Sequence, residues 1–126
     1  MKLRFALASL IFGLALPAFA ADFAGAWKAE LKSSNGTVIP FALDLKSDGN
    51  ALNGTLQFGT RKPRTLENGV IDGDEATFSI TEMSEAGPYK MSCKVKFEGD
   101  QLHLLGEREN REGKMVKVRD LMFTRK

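Results

Sequence analysis

The chain has 126 residues, with 18 Lys+Arg against 16 Asp+Glu, one histidine and one cysteine. That length suits one domain with its own core, and the lone Cys93 excludes both an intramolecular disulfide and a Cys-x-x-Cys redox pair. Two of the basic residues, Lys2 and Arg4, fall at the extreme N-terminus; without them the acidic and basic side chains balance. A domain with no net positive charge is a poor fit to nucleic acid, where affinity comes from displacing phosphate counterions.

Lys2 and Arg4 precede an apolar run from Phe5 to Leu16, and Pro17-Ala18-Phe19-Ala20 follows it. The run is too short to span a bilayer, and small residues occupy both positions that signal peptidase reads. The sequence therefore predicts a signal peptide over 1–20, cleaved after Ala20, and an exported domain over 21–126, periplasmic or secreted. No cysteine stands at the cleavage point to take a lipid, and no later segment is long and apolar enough for a membrane span.

From Trp27 onward, short alternating segments are separated by turn residues. Trp27, Ala29 and Leu31 form one face of a first strand; Phe41, Leu43 and Leu45 form that of a second; Leu52, Leu56 and Phe58 that of a third. A fourth runs from about Leu66 to Ile71. Ala76, Phe78 and Ile80 mark the fifth, Tyr89, Met91, Cys93, Val95 and Phe97 the sixth, and Leu102 and Leu104 the seventh. In the eighth, Val116 and Val118 fall out of phase with Leu121 and Phe123, which a bulge near Arg119-Asp120 would repair. Period-two patterns with one wet face predict antiparallel sheet. Eight consecutive strands with short links predict an all-β, up-and-down barrel, because closure removes the exposed edges.

The links fall into two sets. Asp48-Gly49, Asp72-Gly73-Asp74 and Gly99-Asp100 are tight and should share one end with the chain termini. Ser33 to Gly36, Gly59 to Pro63, Ser84 to Pro88 and Glu109 to Glu112 are longer and should frame a mouth at the other. An eight-stranded barrel is just wide enough for side chains or one small ligand. A ligand there would be lined by Phe41, Phe58, Ile80, Tyr89, Met91 and Leu104, beneath a rim of Arg61, Lys62, Arg64, Arg108 and Arg111 with Lys114 beside them. Such a rim could attract a carboxylate, sulfate or acidic sugar, although Glu85, Glu107, Glu109 and Glu112 beside it also read as a solvated, mixed-charge edge.

Gly25-Ala26-Trp27 opening the first strand, with Arg125 closing the last, resembles the Gly-x-Trp and terminal arginine of lipocalin-like (calycin) barrels. The resemblance implies that Trp27 plugs the closed end and that Arg125 packs across it. Over most of the domain, Ala26 to Glu30, Ser47 to Thr55, Gly69 to Asp74 and Phe123 to Lys126 are similar to small bacterial secreted β-barrel modules, found alone or appended to extracytoplasmic enzymes. The chain also resembles periplasmic metalloprotease-inhibitor barrels in size and strand count, although those typically carry a disulfide.

Catalytic chemistry finds little purchase. His103 alternates outward between Leu102 and Leu104, Cys93 sits mid-strand on the apolar face, and the acids occupy outward or turn positions. Met83, Met91 and Met115 lack the Met-x-Met or His-Met spacing of a copper site, so they read as packing residues and no metal or cofactor is expected. The sequence points to a non-enzymatic, monomeric module that binds a small apolar or amphipathic ligand in the barrel mouth. A protein-binding module acting through the mouth loops, inhibitor-like or accessory, is the alternative. An enzyme without a recognisable motif is the third reading.

Overall fold

The alternation becomes nine β-strands, and no helix among the described residues, in a computed structural model that describes residues 22–126. The expected signal peptide, 1–20, lies outside the described residues. The strands are β1 (Gly25–Lys32), β2 (Val38–Asp48), β3 (Ala51–Phe58), β4 (Arg64–Thr65), β5 (Glu67–Asp72), β6 (Glu75–Ser84), β7 (Gly87–Glu98), β8 (Gln101–Glu109) and β9 (Met115–Arg125). Consecutive strands pair antiparallel except that β4 and β5 both pair with β3, and β1 pairs with β9 to close the ring. The result is a closed eight-stranded barrel plus one short extra strand.

That extra strand arises where the sequence predicted one continuous fourth strand. β4 pairs with β3 through Thr55↔Thr65 and Leu56↔Arg64, and β5 takes over through Ala51↔Val70 and Leu52↔Gly69. The irregularity falls at the start of β5: Asn68 adopts a φ of 53°, and the β5–β6 register shifts between Glu67 and Val70. An asparagine tolerates this left-handed backbone better than most residues, so the irregularity falls where the sequence permits it.

The tight turns behave as expected. Gly49, Gly73 and Gly99 each open a two-residue hairpin loop with φ between 64° and 67°. The primed turns that match strand twist need positive φ at that first position, which glycine supplies without strain. One link differs from expectation. Ser84 pairs with Gly87 and Met83 with Pro88, so the 84–88 link is a two-residue turn at the tip of a hairpin. Ser84 Oγ donates to the Gly87 carbonyl at 2.8 Å and closes it.

The β9 bulge is real but sits one residue earlier than predicted. Gly106 pairs with Arg119 and Glu107 with Lys117, leaving Val118 as the extra residue. Val118 packs partly against the core, whereas Val116 stays 37% exposed. The bulge therefore returns Leu121 and Phe123 to the interior but brings only one of the two valines with them.

Inward positions fill the barrel with Leu43, Leu56, Ile80, Val95, Leu102, Leu104 and Phe123, all but inaccessible to solvent. One end is sealed. Phe23 and Trp27 are fully buried there, both packed on Phe97 with centroids 4.8 and 5.9 Å away. The Trp27 indole N–H donates to the Phe23 carbonyl at 3.0 Å, and the Arg125 guanidinium lies 4.2 Å above the indole. Arg125 also donates to the carbonyls of Asp22 and Ala24, so the last strand ties down the segment entering the first. The β1–β9 ladder is confined to this end, through Trp27↔Arg125 and Lys28↔Thr124.

Candidate functional site

Toward the opposite end the inward face changes character. Counting by twos along β6 from Ala76, Phe78 and Ile80 leads to Glu82, which is buried at 4% exposure. The same count along β8 from Leu102 and Leu104 leads to Gly106 and Arg108. Counting back along β9 from Phe123 and Leu121 leads to Arg119. On β4, Arg64 sits opposite the buried Leu56. Above an apolar floor, the lumen is thus ringed by three arginines and one glutamate.

Each arginine has a distinct setting. The Arg64 Nε donates to Glu82 Oε1 at 3.0 Å, and this pair neutralises the one buried carboxylate among the described residues. Arg108 lies 4.6 Å over the Tyr89 ring, and Tyr89 is itself paired across strands with Glu82. Arg119 reaches over the opposite wall, with its guanidinium 5.0 Å from the Phe58 ring and 6.0 Å from Phe41. Those two rings pack edge to face, 5.0 Å apart, and cation–π attraction offsets part of the cost of taking the guanidinium out of water.

Arg119 is incompletely satisfied. Its Nη1 donates to the Val118 carbonyl at 3.0 Å, but its Nε is buried with no hydrogen-bond partner among the described residues. A buried donor left unpaired costs on the order of 1–3 kcal/mol. Gly106 leaves room for this placement: a Cβ there would stand 3.0 Å from Met91 Sδ and 3.1 Å from the Arg119 Cβ, close enough that a neighbour would have to shift.

The residues nominated from sequence separate into two groups. Phe41, Phe58, Ile80, Met91 and Leu104 are all buried and form the floor beneath the arginines, while Tyr89 is half-buried at their level. Among the rim residues, Arg64 and Arg108 turn inward and are half-buried. Arg61, Lys62, Arg111 and Lys114 are exposed on the 59–63 and 110–114 loops. The loops are ordered by their own contacts: Asn110 Oδ1 accepts from the Glu112 and Lys114 amides, and Gln57 Nε2 donates to the Arg61 carbonyl. Sequence reasoning missed Arg119 and Glu82, although period-two counting from Leu121 and from Ile80 reaches both.

Cys93 lies just below this layer, opposite Gly106. Burial pushes its thiol up to about 12, outweighing the pull of the Arg119 charge. The thiolate is the nucleophilic form, so the native thiol should resist a disulfide reagent at pH 8 and react only on unfolding. Rapid native labelling would show that the barrel opens at this level.

His103 faces the outer wall, with Nδ1 2.7 Å from Glu98 and Nε2 2.6 Å from Asp120. Hydrogen bonds to Asp120 and then Glu98 raise its pKa above the ordinary 6.5. Because folding raises this pKa, the histidine's contribution should be complete below 6.5 and be lost as pH rises through the higher folded value. The stability difference between wild type and His103→Gln should therefore grow on acidification from pH 8 to 6. A difference independent of pH would contradict the two-carboxylate bridge.

The outer wall also carries an open cleft of about 470 Å³ between β6, β7 and β8, floored by Ser79 and Ser92 and edged by Lys94, Leu105 and Glu107. Its charges are mixed and it holds no unpartnered buried group. Among the described residues no cluster of His, Cys, Asp and Glu side chains could hold a metal ion, and no helix is long and apolar enough to cross a membrane. Comparison with protein-family models, curated proteins and solved structures finds no match for this chain.

Proposed function

We propose that this chain is an exported, non-enzymatic binding module that holds a small amphipathic ligand at the open end of its barrel. One observation carries the reading. At the sealed end the inward face stays apolar up to the Trp27–Arg125 stack. At the other it turns into a polar layer of the half-buried Arg64, Tyr89, Arg108 and Arg119 around the buried Glu82. Val116, paired with Arg108, and Leu31, near the mouth end of β1, leave apolar surface open, each 37% exposed. A few convergent polar groups over an apolar floor are the chemistry that small-ligand sites use. The ligand rests on Phe41, Phe58, Ile80, Met91 and Leu104 instead of threading among them, because those side chains already fill the lumen. The resemblance to lipocalin-like barrels supports the same reading.

Native mass spectrometry of protein purified from its own host tests this. A small molecule of discrete mass, released on denaturation, is the expected result, with the chain itself beginning at Ala21. A second reading draws on the exposed Val38, Met83 and Met115, at 45%, 59% and 49%, which place apolar side chains on strand ends toward the mouth. Co-purification of a partner protein, with no small molecule, would favour that protein-binding module.

A further inference from the structure

We propose that the polar end of the ligand is a carboxylate, gripped by Arg119 and Arg108 inside the mouth. The inference rests on the ligand-binding reading above and adds the chemistry of the group recognised.

The charge balance of the layer is the first argument. Three arginines face one glutamate, and Glu82 is taken by Arg64. Arg108 and Arg119 pair with no carboxylate among the described residues, in a half-buried setting where water screens them poorly. The lumen therefore presents an uncompensated positive charge beside an apolar floor. A neutral ligand would leave that charge in place, whereas an anion removes it.

Geometry supplies the second. Val118 engages Nη1 of Arg119 and Nε is buried and unpartnered, so the guanidinium edge formed by Nε and Nη2 is the one left without hydrogen bonds among the described residues. Two parallel N–H groups on one edge of a planar fork match the two oxygens of a planar carboxylate. The Arg119 guanidinium packs over Phe58 and Phe41, and that of Arg108 over Tyr89. Both donors are thus oriented before a ligand arrives, which reduces the ordering cost of binding. Bound carboxylate would satisfy the orphaned Nε and leave the apolar part of the ligand against Leu31 and Val116.

Calorimetric titration with octanoate and with 1-octanol separates the headgroup from the chain. Wild type should bind octanoate one to one and 1-octanol at least about tenfold more weakly, as a charge-assisted hydrogen bond requires. Arg119→Gln should reduce octanoate binding to the octanol level, and so should Arg119→Lys, which keeps the charge but loses the fork. Lys46→Gln, on the outer wall, should bind octanoate as wild type does. Because Arg119 packs on Phe58, Arg108→Gln serves as a second variant if Arg119→Gln fails to fold, with a similar loss expected. Equal binding of octanoate and octanol, or undiminished octanoate binding by both glutamine variants, would overturn the carboxylate assignment and leave the mouth as an apolar-ligand site. Binding of neither compound by wild type would overturn the assignment and the ligand-binding reading together.

Discussion

Trp27→Ala should destabilise the barrel by about 3–5 kcal/mol, the cost typical of removing a large aromatic from a core. Trp27 is fully buried, touches Phe97 and carries the Arg125 guanidinium on its face. Its truncation would also orphan the Phe23 carbonyl, the acceptor for its indole N–H. Three parts of the chain meet at this ring: the entry segment, the β7 end and the final strand. The loss should therefore appear as lower cooperativity as well as a lower midpoint in urea. Trp27→Phe keeps most of the packing but not the hydrogen bond, and should cost about 1–2 kcal/mol more than an isosteric change would. A loss below about 1 kcal/mol for the alanine variant would mean the seal contributes little.

Gly54→Ala should be nearly as damaging, at about 2–4 kcal/mol, through backbone strain and overpacking together. Gly54 has a φ of 142°, and a Cβ there would sit 1.9 Å from the Asp44 carbonyl oxygen and 3.1 Å from the Leu45 Cα. These are backbone atoms of the neighbouring strand, so no rotamer change relieves the clash. The tight approach coincides with the bend of the fourth stave, since the Leu66 amide donates to the Gly54 carbonyl at 3.0 Å. Gly49→Ala is the comparison. Gly49 also has positive φ but has open space around its missing Cβ, so only the local conformational penalty of about 1 kcal/mol applies. Equal losses at both positions would show that the β2–β3 approach is looser than its geometry indicates.

Much of the barrel is legible in the sequence because antiparallel strands with one wet face write their orientation into every second residue. The runs Trp27 to Leu31, Phe41 to Leu45 and Tyr89 to Phe97 locate three strands and assign their faces. What escapes is local. The break at Leu66 to Gly69 depends on Asn68 taking a left-handed conformation that composition permits without requiring. The β9 bulge falls at Val118 instead of Arg119-Asp120 because a phase slip reveals that a residue is extra, but not which one. Pro88 reads as a loop residue, yet it pairs with Met83 near the end of a long hairpin.

The site was harder to read for a related reason. A sequence search for ligand contacts favours apolar inward residues, and Phe41, Phe58, Ile80, Met91 and Leu104 are indeed inward. Burial shows that all five belong to the packed core of the barrel. The residues with unmet interactions are the charged ones that continue the same inward count, Arg119 above all. A charge on an inward parity is easily dismissed as a strand end, and only the stacking of Arg119 on Phe58 shows that it crosses the lumen.

A sealed end opposite a ligand-binding mouth requires the two ends of the barrel to respond differently to ligand. Two-dimensional amide and side-chain NMR during octanoate addition tests this most directly. Resonances of Arg64, Tyr89, Arg108 and Arg119 should shift together and saturably, including the Arg119 Nε–H, while the Trp27 indole N–H and the Phe97 and Arg125 signals stay fixed. Shifts centred on Trp27 and Arg125, or none at the arginine layer at saturating octanoate, would contradict it.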